Sequence, residues 1–257
     1  MKELNMVRFS PANVKIKALS EVEALQPFLE NGKKVYSFDL LSGHTCPFAE
    51  KCLSRVVDLD GKRKIEDGGK TEFRCFSASQ EVIFPAVYNM RKANTDQLKG
   101  LSLVEMVDTI ESAIPENLGI CRLHVGGDFF NPVYFQAWLA IAANNPNRLF
   151  YGYTKSLPYW VNNIAHASSI ENLVLTASYG GRFDNMIEQY GLRSANVVNH
   201  PSETILEIDH TDEHAANPEK RNQDFSLLIH GIQPKNSAAS AGIKRMKSEK
   251  VQFSYSR

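Results

Sequence analysis

The sequence predicts an α/β protein: a partial or full (β/α) barrel of about six mainly parallel strands, with its active site at the C-terminal strand ends. Three observations lead there. Short apolar runs alternate with helical patterns along most of the chain, as βα units do. The runs are apolar at successive positions, as strands buried on both faces are. Residues able to do chemistry, Cys46, Asp128, Lys155, Ser178 and His230, fall at or just past the ends of these runs. In a barrel those ends converge on one mouth. An open doubly wound sheet is the alternative that the same alternation allows.

The elements follow in order. The run KVYSFDLL (34–41) reads as the first strand. A charged excursion, 55–74, has turn signals at Asp60-Gly61 and Gly68-Gly69 and reads as a hairpin. SASQEVIFPAVYNMRKAN (77–94) reads as one helix kinked at Pro85. Ser102 and Glu105 form a capping box before an apolar stripe of Val104, Val107 and Ile110. ICRLHVGG (120–127) is a strand that stops at two glycines. Asn131 and Pro132 supply the cap and first residue of the next helix. RLFYGYT (148–154), NLVLTAS (172–178), SANVVN (194–199) and FSLLIHG (225–231) complete the strands. Between them LPYWVNNIAHA reads as a helix, and DNMIEQYG as a short one ended by glycine. The whole reads as one domain, 1–234, followed by a polar tail, 235–257, rich in Ser, Ala and Lys.

Bulk composition narrows the classes. In 257 residues, 43% are hydrophobic and 23% charged, ordinary for a globular protein with a sizeable core. Twenty-nine basic residues balance 29 acidic ones, so no global charge draws the chain to nucleic acid or to an anionic membrane. The first residues lack a signal-peptide core, and no apolar run is long enough to span a membrane. The expected compartment is the cytoplasm, where thiols stay reduced.

Four cysteines in that setting are ligands, nucleophiles or core residues rather than disulfides. Cys121 lies inside an apolar strand and reads as a buried thiol. Cys46, Cys52 and Cys75 lie in loops, spaced C-x5-C-x22-C, and suit an iron–sulfur cluster or a zinc site. His44 could serve as a fourth ligand, or be a surface histidine. In HVGGDFFNP (124–132), Gly126 and Gly127 let the backbone approach a ligand while Asp128 faces it; a tight turn with Asp128 capping the next helix is the plainer alternative. The strand ending in His230-Gly231 can offer amides and an apolar edge to a purine, or simply be core. Lys155 reads first as a solvated lysine, and EIDHTDEH (207–214) as a solvated polar loop. Phe129, Phe130, Tyr153, Tyr159 and Trp160 could stack on a base, though packing between helices and strands is their commoner use.

Taken together, cysteines after the first strand, Gly-Gly-acid after the second, hydroxyls after the fourth and His-Gly after the sixth resemble the radical S-adenosylmethionine (SAM) enzymes. The resemblance implies a partial six-stranded barrel. It would make Cys46, Cys52 and Cys75 the ligands of a 4Fe–4S cluster and Gly126, Gly127 and Asp128 the turn that meets the methionine end of SAM. Ser178, His230 and Gly231 would lie along the nucleoside, and Asp128 and Lys155 in the reacting space. The family's three cysteines usually sit within eight residues, and here they span thirty; aspartate also replaces the usual glutamate.

SGHTCPFAEKC, GGDFFNPVYFQAWLAIA, YTKSLPYWV and LTASYGG also resemble a bacteriophage family, gene product 88, over most of the chain. That likeness implies a viral origin and the cytoplasm of an infected cell. A nucleotide, small molecule or nucleic acid is then the expected substrate, with a reductant protein as partner for radical chemistry. Two other readings stand beside it. One is a zinc-containing barrel enzyme of nucleobase exchange, with Asp39 or Asp128 as nucleophile or base. The other is a non-catalytic binding protein braced by zinc. Substitution of Asp128 by Asn is expected to leave stability nearly unchanged, since asparagine caps as well as aspartate.

Overall fold

The computed structural model describes residues 7–253. Residues 1–6 of the N-terminal stretch and the last four residues of the expected tail lie outside them. Strand β1 (Phe9–Pro11) leads into helix α1 (Val14–Lys17) and a series of short 3-10 turns, then β2 (Lys34–Phe38). The expected hairpin is β3 (Ser54–Leu59) and β4 (Lys62–Asp67), antiparallel about Asp60-Gly61, both at positive φ. Pro85 breaks the expected helix rather than kinking it. It is the first residue of α3 (Pro85–Leu98), and α2 (Phe76–Ile83) stops before it, because the residue preceding a proline is pushed out of helical conformation. Helix α4 (Leu103–Glu111) starts at the Ser102–Glu105 capping box, with both reciprocal bonds formed.

From there the chain alternates: β5 (Leu118–Leu123), α5 (Pro132–Asn144), β6 (Leu149–Thr154), α6 (Leu157–Val161), α7 (Ile164–Ser169) and β7 (Leu173–Ser178). The elements α8 (Asn185–Gln189), β8 (Ser194–Val198), α9 (Glu213–Ala216), β9 (Phe225–Leu228) and α10 (Ala238–Ser248) complete it. The single helix expected at 157–167 is thus two. The stretch expected as a polar tail is largely a docked helix: Ser237 caps α10, and Ala239 and Met246 are buried against Val198, Leu228 and Ile229. Burying a methionine of that kind contributes about 1.5–3 kcal/mol.

The main sheet runs β1-β2-β5-β6-β7-β8-β9. The six strands from β2 onward are parallel and stand in chain order, so the sheet has no reversal point of the doubly wound kind. It is not closed into a barrel. Strand β1 pairs antiparallel with the free side of β2, and Ile208 bridges to Ser226 on the free side of β9. Each edge is therefore occupied by a segment of its own chain, and the two edges do not meet.

Alternating side chains give the sheet two buried faces. On one, Phe38, Cys121, Leu123, Phe150 and Leu175 pack under α4 and α5 through Met106, Ile110, Phe135 and Trp138. On the other, Val35, Ile120, Tyr151, Val174 and Phe225 are covered by Ile16, Leu19 and Leu25 and by α9. Burial on both faces is what the apolar runs predict; that the N-terminal segment and α9 supply the second cover was not foreseen. At the C-terminal end of the strands, α2 and α3 reach toward both edges. Asn94 bonds the backbone of Arg8 and Asp39 at 2.8–3.0 Å, while Ser79 accepts the Ile232 amide at 3.3 Å.

Candidate functional site

The cysteine loop leaves β2 and folds over the exit of β7. The amides of Glu50 and Lys51 donate to the Gly180 carbonyl at 3.1 and 2.9 Å, and the Arg182 amide donates to Phe48. The Phe48 ring meets Tyr159 and Phe183 edge-on. Gly43, at φ 71°, sits so close to the hairpin that a Cβ would lie 2.5 Å from the Ser54 carbonyl oxygen, and its amide points at Cys46 Sγ from 3.3 Å. After the hairpin, the amides of Glu72 and Phe73 return to the Lys51 carbonyl. That return carries Cys75 back beside Cys52.

The three loop thiols lie within reach of one another's charge. Burial pushes the Cys46 thiol well above its ordinary value, and Asp128, Cys75 and Cys52 push it the same way. Burial, then Cys52, push Cys75 up to about 11, against the amides of Ser77 and Ala78 at the start of α2. All three are free thiols, only partly exposed. Among the described residues, no three His, Cys, Asp or Glu side chains close on a point where a single metal ion would sit. Cys121 is fully buried in the core and takes no part. Of the two readings open for His44, fourth ligand or surface histidine, the structure shows the second: it is exposed, its Nε2 2.8 Å from the Val56 carbonyl of the hairpin.

The glycine turn is locked to this loop from below. Asp39 Oδ1 accepts the Val125 amide at 2.6 Å, its Oδ2 accepts the Ser37 hydroxyl at 2.9 Å, and the Leu40 amide donates to Gly126. Both Asp39 oxygens are thus occupied by the fold. Gly126 has Ser77 and Arg91 where a Cβ would stand, at 2.4 and 2.7 Å. Gly127, at φ 90°, would drive a Cβ to 2.6 Å from Thr45 Oγ1. The close approach that needs glycine is therefore made to the cysteine loop and α2–α3.

Asp128 does not cap the following helix; Asn131 does, accepting the Tyr134 amide at 2.7 Å. The Asp128 carboxylate ties β5 to β6 instead. It accepts the Thr154 hydroxyl at 2.6 Å, its neighbour's Phe129 amide at 2.7 Å and the Lys155 amide at 2.8 Å. Burial holds its pKa above the ordinary carboxylate value in spite of these bonds. Lys155 is 8% exposed rather than solvated, and its Nζ donates to Ser178 Oγ at 2.6 Å. His230 stacks on Phe76 with ring centroids 4.6 Å apart. Burial lowers its pKa to about 4, so the ring is neutral near pH 7. Gly231, at φ 79°, packs on the Phe76 backbone. The residues singled out in the sequence thus gather at one end of the sheet, joined by Thr45, Thr154 and Phe76, which sequence reasoning passed over.

One further expectation fails. The loop 207–214 is not a solvated one: Asp209, Asp212 and His214 are buried. Asp212 accepts Lys15 Nζ at 2.6 Å, the Tyr151 and Tyr153 hydroxyls at 3.2 Å, and the Arg122 guanidinium. The clue was Arg122, a charge in the middle of an apolar strand that needed a counter-ion. The aromatics follow their commoner use and pack against the fold. Phe129 and Trp160 are buried in the helix-side core, Tyr153 turns to Asp212, and Phe130 stacks on Tyr134 at 4.6 Å.

Comparison with known proteins places the chain. The family model of Gene product 88 matches residues 9–248. A "Gene 88 protein" of Mycobacterium phage L5 is 27% identical over 110 residues, covering 39% of this chain and 45% of that protein. The match thus spans less than half of that relative's length. No solved structure matches. Among the described residues, no helix is long and apolar enough to cross a membrane. The chain belongs to the gene product 88 family, a family of bacteriophage proteins.

Proposed function

We propose that this member of the gene product 88 family is a metal-dependent enzyme of radical SAM type. Cys46, Cys52 and Cys75 would hold a 4Fe–4S cluster, and the turn Gly126-Gly127-Asp128 would meet SAM. The observation that carries the reading is the gathering of three thiols, thirty residues apart in sequence, over the C-terminal ends of six parallel strands in chain order. When bound, such a cluster would supply the electron that cleaves a SAM sulfonium.

The chain's own contribution is placement. Asp39 and Asp128 hold the exits of β2, β5 and β6 in register through buried amides. Gly126 and Gly127 let those exits press against the cysteine loop. Phe48 anchors the cysteine loop on Tyr159, and Phe76, next to Cys75 in sequence, stacks on His230. His230 and Gly231, at the exit of β9 beside Phe76, are placed to meet a nucleoside from its edge. A nucleotide, or a nucleic acid presenting one, is the substrate class, and a small electron-transfer protein is the partner such chemistry requires.

The test is anaerobic purification. Iron and acid-labile sulfide in near-equal amounts, with absorbance at about 400 nm, support the reading. Ala at Cys46, Cys52 or Cys75 should each remove both signals, while Cys121→Ala keeps them. Zinc without iron would replace the reading with the nucleobase-exchange or zinc-braced alternatives. Calorimetry on the loaded protein then asks for SAM binding at millimolar concentration or below.

A further inference from the structure

Lysine is almost never buried without a partner, because an unpaired charge loses its hydration and gains nothing in return. Three other buried or half-buried cations here are paired with carboxylates, while buried Arg193 is held instead by the Thr176 hydroxyl and the His214 and Ala215 carbonyls. Arg91 pairs with Glu81 at 3.0 Å, and Arg122 and Lys15 share Asp212. Lys155 differs from these three. It is 8% exposed, and among the described residues no carboxylate forms an ion pair with it. Two carboxylates lie nearby, and both are occupied elsewhere. Asp128 takes the hydroxyl of Thr154 and the backbone amide of Lys155. Asp184 takes the amides of Gly180 and Gly181 at 2.8 and 2.9 Å.

What Lys155 does have is a fixed position. A Cβ on Gly181 would lie 3.2 Å from Lys155 Cβ, so the lysine stem packs closely on this glycine. Its Nζ donates one hydrogen to Ser178 Oγ, and Ser178 is only half-buried, so the pair opens outward at the exits of β6 and β7. An ammonium has three donors, and one is accounted for. We infer that Lys155 and Ser178 form an anion subsite that takes the carboxylate or phosphate of a small ligand entering the mouth. The ligand's charge supplies a direct ion pair, where Asp128 acts on the ammonium only at longer range. The serine orients the lysine and can turn its own hydroxyl to the same anion. The inference does not depend on the metal proposed above.

The experiment uses the full chain, purified anaerobically, and two matched pairs of probes: SAM against decarboxylated SAM, and AMP against adenosine. In at least one pair the anionic member should bind about tenfold or more tighter, the effect of one charge-assisted hydrogen bond. That ratio should fall toward one in Lys155→Met and part of the way in Ser178→Ala. The pair that shows the preference says whether the anion is a carboxylate or a phosphate. Should Lys155→Met fail to fold, the wild-type chain is acetylated with and without each probe and mapped by mass spectrometry. Lys155 should be protected by the anionic member of a pair and not by its neutral counterpart. No anion preference in either pair, including no binding at all, overturns the inference. So does a preference that survives Lys155→Met, or labelling of Lys155 that no probe changes. Iron and sulfide measured on the same samples keep this result separate from the fate of the cluster, and AMP binding requires no cluster.

Discussion

Two buried polar regions lie on the same sheet and are built in opposite ways. Under the N-terminal segment, Asp212 is wholly enclosed and every bond it can make is made, to Arg122, Lys15, Tyr151 and Tyr153. At the strand exits, three free thiols lie within reach of one another's charge, and Lys155 bonds a hydroxyl but, among the described residues, forms no ion pair. A saturated network fixes structure, here the attachment of residues 12–29 and α9 to the sheet. An unsaturated one leaves capacity for something else to bind.

The sharpest way to break this contrast is Asp212→Asn. Asparagine tolerates the left-handed backbone at this position, φ 63°, so the change isolates the charge. It strands Arg122 and Lys15, and should cost about 3–5 kcal/mol in chemical denaturation. The pH dependence carries the same signature. Burial alone would raise the Asp212 value, but Arg122 and Lys15 more than offset it and bring it to about 2, below its ordinary 3.8. Its contribution is therefore full above about pH 4 and lost as pH falls toward 2. Asp212→Asn should flatten acid unfolding in that window; an unchanged profile would show that the ion cluster does not hold the layer.

Cysteine to serine comes next and separates the two regions by direction. Cys121→Ser buries a hydroxyl among apolar side chains and should cost about 1–3 kcal/mol while leaving metal content unchanged. Cys52→Ser, in a partly exposed loop, should change metal-free stability by no more than about 0.5 kcal/mol and abolish metal uptake. Since the Cys46 and Cys75 thiols sit above their ordinary values, uptake should strengthen as pH rises and release protons.

Asp128→Asn is subtler. The earlier expectation of unchanged stability assumed a cap. The carboxylate instead accepts three bonds, and an asparagine would set its NH2 against either the Lys155 amide or the two donors at the other oxygen. A loss of about 1–3 kcal/mol is expected, checked by thermal unfolding. Smallest is Ser102→Ala, far from both regions, which removes the exposed capping box of α4 and should cost about 1 kcal/mol.

The parallel strands were legible because their signals are local. Apolar runs, capping residues and turn glycines mark each β-strand from β5 to β9 and the hairpin within a few residues of their ends. Cys121 was legible as core for the same reason. What could not be read was pairing at a distance. Asp212 lies 90 residues from Arg122, and nothing near EIDHTDEH says that a strand arginine waits for it. Nor does the Ser- and Lys-rich C-terminal sequence say that Ala239 and Met246 will find Val198 and Leu228. Edge coverage by β1 and by residues near Ile208, which keeps the sheet open, is likewise a property of the assembled sheet. At the candidate site, the residues were found from strand ends, but their mutual bracing through Thr45 and Thr154 was not, since threonines carry no positional mark.

The hairpin also accounts for the wide interval between Cys52 and Cys75. Its two ends are stitched together, the Gly68 amide donating to the Leu53 carbonyl at 2.7 Å, so the chain leaves and re-enters the loop at almost one place. Of the 22 residues between these cysteines, 14 belong to Ser54–Asp67, and eight would remain without them. The hairpin is therefore a side branch of a short thiol loop. A chain shortened by splicing Leu53 to Gly68 would keep Cys52 near Cys75, at the loss of the Val56 packing on Leu41, Ala78 and Tyr88 and of the Asp67–Arg74 pair. Ring size, rather than residue count, is the measure by which this loop should be compared with others.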